Sequence, residues 1–141
     1  MARQSTYGWR AKLGLIVPTT NTVNEAEWNM AAPGGVSIHS ARMVLHTDLE
    51  SADGKAALHD DLTTAVNSLA PAGLDVIAHG CTAGSLVTPR AVLPDLMTAL
   101  CGLPCLTPGA AILDALFSLH SSSLSAATPY AQRHHHPEAP P

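Results

Sequence analysis

Apolar residues in this chain come as short continuous runs alternating with longer stretches of helical spacing. Leu13-Gly14-Leu15-Ile16-Val17 is a run closed by Pro18, the pattern of a strand buried on both faces. Asn21 or Thr22 then offers an oxygen to cap a helix, and Glu25 and Glu27 place negative charge in its first turns, where the helix dipole favours it. That helix is expected to reach about Met30 and to stop at Pro33-Gly34-Gly35. Residues 36–43 read as a second strand. Leu58, Leu62, Ala65, Val66 and Leu69 share one helical face and predict a helix over residues 53–70, ended by Pro71 and Gly73. Residues 74–79 predict a third strand, and residues 80–85 a turn of small residues. A helix over residues 91–100 follows, with Pro94 in its first turn. A brief strand at 103–106 leads to a last helix opened by Thr107-Pro108, with Ile112, Leu113, Leu116, Phe117 and Leu119 as its apolar stripe. Residues 124–127 are a candidate fifth strand.

Strand–helix units of this length define the α/β class, here a single open parallel sheet of about four to five strands with helices on both faces. Residues 1–131 are expected to form that one lobe. Residues 132–141, which include His134, His135 and His136 and end in Pro140 and Pro141, have no periodicity and are expected to be a disordered tail. Composition agrees with one packed domain: of 141 residues, 46% are hydrophobic and only 13% charged. A net charge of −4 with seven basic residues leaves no basic stripe, which argues against nucleic acid as a partner. The longest early apolar run is far short of the ~20 residues of a spanning helix, so no membrane role is expected. Three cysteines do not make a disulfide framework, and a reduced, cytoplasmic protein is the simpler expectation.

Ligands of open parallel sheets bind beyond the carboxyl ends of the strands. Three segments qualify: Pro18-Thr19-Thr20-Asn21-Thr22, His79-Gly80-Cys81-Thr82-Ala83-Gly84-Ser85 and Thr128-Pro129-Tyr130. Cys81 is the foremost candidate. Flanking glycines let the backbone approach a ligand, and N–H groups beyond the thiol could face an anion. A small buried residue at a tight turn is the equally weighted alternative. Asn21 is either a carboxylate donor or an ordinary cap. Tyr130 either reaches the rim with its hydroxyl or covers the sheet edge. His79 could serve as a base, although a hydrogen-bonded structural histidine is the favoured reading. Cys101 and Cys105 flank a helix-to-strand turn and have no second pair, so a zinc site is not expected, and Cys105 is read as a core residue. Gly-x-Gly-x-x-Gly, Gly-Lys-Ser/Thr and Gly-x-Ser-x-Gly motifs do not occur, which argues against nucleotide cofactors and a serine hydrolase.

Residues 13–25, 36–43 and Gly80-Cys81-Thr82-Ala83-Gly84-Ser85 resemble the aspartate/glutamate racemase superfamily, most closely its maleate cis-trans isomerase and arylmalonate decarboxylase branch. Gly102-Leu103-Pro104-Cys105 and Ala127-Thr128-Pro129-Tyr130 add to the likeness, which runs over about residues 13–132. The resemblance implies two similar α/β lobes with the site between them, usually one cysteine from each, and no metal or organic cofactor. It gives Cys81 the role of nucleophile toward the alkene of a small dicarboxylate, maleate. It gives Asn21 and Tyr130 the role of gripping carboxylates, and the Thr82 N–H an anion contact. Arylmalonate decarboxylases tend to carry Gly where Cys81 stands, which favours the isomerase. The family runs to roughly twice this length, so the chain is expected to be the N-terminal lobe of a truncated form. The second lobe's cysteine is not matched by Cys101 or Cys105. An amino-acid racemase or arylmalonate-type decarboxylase activity, or an inactive remnant that acts as an interaction lobe, are the alternatives. A homo-oligomer in which two copies mimic the two lobes is a variant of the last.

Overall fold

A computed structural model describes residues 5–121, 123–125 and 127. Four strands form one sheet: β1 (Ala11–Pro18), β2 (Val36–Met43), β3 (Val76–His79) and β4 (Cys105–Leu106). All pair in parallel, in the order β2-β1-β3-β4. The helices are α1 (Asn24–Ala31), α2 (Ala52–Leu69), α3 (Thr82–Ser85), α4 (Val92–Cys101) and α5 (Pro108–Ser118), with a 3-10 turn at Ala70–Ala72. The α/β class and the parallel sheet are as the sequence implies. The candidate fifth strand is not: residues 124, 125 and 127 carry no strand. That four-residue segment is mostly Ser and Ala and offers little side chain to hold on a sheet edge.

The chain leaves β1 sideways to β2, then crosses back over β1 to β3 and on to β4. Right-handed crossovers running in opposite directions place their helices on opposite faces. The packing agrees. On one face, Ile16, Met43 and Ile77 meet the α2 stripe of Leu58, Leu62, Ala65, Val66 and Leu69, with Leu93 and Met97 of α4. On the other, Leu15, Val17 and Ala78 meet Trp28 of α1 and Ile38. β1 is therefore covered on both sides, which is why it reads as an unbroken apolar run.

The α2 stripe is the one expected, and all five residues are buried. Ser51 caps this helix by accepting from the Gly54 N–H at 3.0 Å. The stripe on α5 is in register but uncovered. Ile112, Leu113, Phe117 and Leu119 are exposed, with the Arg90 guanidinium over the Phe117 ring and paired with Asp114. Thr107 caps α5 as the sequence suggests, accepting from the Ala110 N–H. Among the described residues no helix is long and apolar enough to cross a membrane.

Candidate active site

The reversal of winding at β1 parts the loops that follow β1 and β3, and a crevice opens between them. It forms a cleft of about 690 Å³. Pro18, Thr20, Asn21, Asn24 and Trp28 line one side, and Cys81, Thr82 and Ala83 another. Ala78, His79 and Gly80 make the floor, with Leu106, Pro108 and Ala111 along the edge toward α5.

The loop after β1 is held by its own side chains. The Asn21 carboxamide oxygen accepts from the N–H groups of Val23 (3.0 Å) and Asn24 (2.9 Å). The expected capping role is thus real, although Val23 occupies the N-cap position. With Oδ1 committed to the backbone, the Asn21 amide NH₂ is the group left to donate to a ligand. Cap and donor are therefore compatible roles of one side chain. Arg42 reaches over from β2 and donates to the carbonyls of Thr19 (3.2 Å) and Asn21 (2.9 Å), while its other nitrogen pairs with Glu25.

The loop after β3 is fixed at Gly80. Its N–H donates to the Ile16 carbonyl at 2.6 Å, and its own carbonyl accepts from the Asn24 side chain at 2.9 Å. A Cβ at Gly80 would lie 2.7 Å from Asn24 Nδ2 and 3.0 Å from Val17, so only glycine lets the two loops meet here.

Cys81 follows in extended conformation (φ −133°, ψ 107°) and caps the short α3, its Sγ accepting from the Gly84 N–H at 3.4 Å. The thiol is partly exposed and lines the cleft, so the buried-residue reading of Cys81 does not hold. The expected small-residue turn is in fact this one-turn helix. Its N–H groups at Thr82 and Ala83 have no acceptor among the described residues. Ser85 anchors the far end, donating to the Thr82 carbonyl and accepting from the Gly109 N–H at 2.9 Å.

His79 is 1% exposed on the face opposite Ala78, and neither ring nitrogen has a partner among the described residues. Burial pushes its pKa down to about 4, so the ring is neutral near pH 7. Burial fits the structural reading, but the hydrogen bond expected for it is not seen among the described residues. Among the described residues no group of three or more metal-ligating side chains occurs.

Cys81, Asn21 and Thr82 thus border one cleft, while Tyr130 and residues 132–141 lie outside the described residues. Sequence reasoning passed over Asn24, Trp28 and Arg42. Asn24 and Trp28 follow Asn21 at intervals of three and four, so helical spacing alone could have placed them on the same side of α1. Arg42 had no such signal, because its partners are about twenty residues away in sequence.

No protein-family model matches the chain, and neither does any curated protein sequence. Solved structures do. An arylmalonate decarboxylase is similar over 77% of this chain and 46% of its own, with a TM-score of 0.63 and 23% identity. The maleate isomerase Iso from Pseudomonas putida S16 is similar over 78% and 50%, with a TM-score of 0.59 and 21% identity. A Nocardia farcinica maleate cis-trans isomerase bearing a covalently bound succinylcysteine intermediate is similar over 78% and 49%, with a TM-score of 0.64 and 23% identity. The chain therefore has a fold similar to part of these arylmalonate decarboxylase and maleate isomerase structures. It spans about half the length of each of these structures.

Proposed function

We propose that the chain is the nucleophile-bearing lobe of a cofactor-independent isomerase that converts maleate to fumarate. The observation that carries this reading is the meeting around one cleft of Cys81, the Asn21 amide and the N–H groups of Thr82 and Ala83, which have no acceptor among the described residues. A dianion needs fixed donors, and a carbanion beside a carboxylate is stabilised by the same donors. The Cys81 thiolate would add to one alkene carbon. The π pair then moves to the neighbouring carbon, which takes a proton and gives a succinyl thioether. Rotation about the new single bond, loss of that proton and expulsion of the thiolate leave fumarate. The Nocardia farcinica isomerase holds a succinylcysteine of this kind. Tyr130 belongs to the proposal as a second carboxylate contact.

The cleft is open to its surroundings, and the proposed site is completed by a second body facing that opening. A second copy of this chain is the partner we propose for that role. The test follows fumarate formation from maleate, together with alkylation of Cys81 by iodoacetamide with and without maleate. Expected are turnover lost by at least about a thousandfold in Cys81→Ala, and protection by maleate that Asn21→Ala weakens about tenfold or more. Equal turnover in Cys81→Ala, or alkylation indifferent to maleate, overturns the reading. The likeness to arylmalonate decarboxylase favours decarboxylation as the second reading, and carbon dioxide release from aryl malonates would select it.

A further inference from the structure

Two thiols outside the cleft are in contact. Cys101 ends α4 and Cys105 begins β4, and three residues join them. Gly102 turns the chain with φ 69°, its N–H bonded to the Thr98 carbonyl at 2.8 Å. Pro104 fixes the return, its carbonyl accepting from the Ile77 N–H at 3.1 Å as β4 joins the sheet. The turn is thus anchored at both ends, and it sets the two Sγ atoms 3.6 Å apart. Both side chains are partly exposed. Cys101 donates to the carbonyls of Met97 at 3.1 Å and Leu103 at 4.0 Å, and Cys105 to that of Leu103 at 3.4 Å, while Cys105 is also hydrogen-bonded to the Thr98 side chain and the Ile77 backbone. A disulfide needs its sulfurs at about 2.05 Å, so small side-chain rotations shared by the pair could close the gap.

We propose that Cys101 and Cys105 are a redox modification site, a dithiol that closes to an internal disulfide by exchange with a low-molecular-weight disulfide. The Cys101 thiolate attacks one sulfur of the external disulfide, and one small thiolate leaves. Cys105 then gives up its proton and attacks the Cys101 sulfur, and the second small thiolate leaves. Two protein S–H groups become one S–S bond, and the reagent is reduced to two thiols. This order follows from the surroundings. Burial, and then the neighbouring Cys101, push the Cys105 thiol up to about 12, which makes it a poor first attacker. Capping Cys101 removes the second of those causes, and the contact makes the closing step intramolecular. Cys81 has no thiol neighbour of its own copy among the described residues. The inference does not rest on the isomerase reading, since neither residue lines the cleft.

The full chain is treated with excess oxidised glutathione, and trypsin peptides are weighed without reduction. Cleavage after Arg90 and Arg133 keeps both residues in one peptide. That peptide is expected to lose two hydrogens and carry no glutathione. Cys105→Ser is expected to hold glutathione stably on Cys101, and Cys101→Ser to be modified at Cys105 about tenfold or more slowly than that. Two separate glutathione adducts in the wild type, or free thiols at both positions once Cys81 is capped, overturn the proposal. The wild-type peptide mass decides the question even if either variant fails to fold.

Discussion

At the residue scale, burial decides what each candidate can do. His79 sits two positions before Cys81 and looks from the sequence like a base. Its ring is enclosed, has no hydrogen-bond partner among the described residues and is held down near pKa 4. A consequence is acid sensitivity. In the unfolded chain His79 takes a proton near the ordinary histidine value of 6.5, whereas the folded chain resists until about 4. The unfolded state therefore binds the extra proton, and stability falls as pH drops from about 6.5 to about 4, by roughly 3 kcal/mol for this group. Urea midpoints measured between pH 4 and 7.5 should show the slope, and His79→Phe should flatten it. An unchanged slope in that variant would place the acid sensitivity elsewhere. Cys81 and Asn21 were legible as candidates because reactive and amide side chains stand directly after apolar strand runs. The Asn24 grip on Gly80 and the Arg42 clasp on the first loop were not, since they join positions that only the folded sheet brings together.

At the scale of elements, legibility followed the periodicity. α2 was readable because five apolar residues at helical spacing fill one face, and each ends up buried. Leu62 is wholly enclosed within that core. Leu62→Ala should cost about 3 kcal/mol, from lost transfer energy and the cavity left behind, read as a lower urea midpoint at unchanged slope. A loss within experimental error would mean that the core collapses around the gap. α5 shows the limit of the same reasoning. Its stripe was read correctly, but a stripe reports that a face is apolar and not what covers it. The short β4 forms within the expected 103–106 strand, over Cys105–Leu106, just before Thr107 and Pro108 open α5. The fifth strand had few bulky side chains, and it does not form at residues 124, 125 and 127.

At the scale of the whole molecule, the chain matches about half of each related structure and shows two bare surfaces side by side. One is the open mouth of the cleft. The other is α5, where Ile112 is 50%, Phe117 64% and Leu119 73% exposed. Apolar side chains gathered in this way mark an association surface. With a second copy as the proposed partner, the wild type should weigh as a dimer by light scattering at about 10 μM, a working range for interfaces of modest affinity. Ile112→Glu combined with Leu119→Glu should return it to a monomer with its far-UV circular dichroism intact. A wild-type monomer at that concentration removes the second copy as the facing wall.

Gly80 has a mechanical consequence. Its amide is tied to the central strand and its carbonyl to the first helix, so both lips of the crevice are riveted to one another through a residue with no room for a side chain. Such a mouth does not shut by bending. It behaves as an anvil, and any squeeze that expels water from the cleft has to be delivered by the stroke of whatever body approaches from the other side.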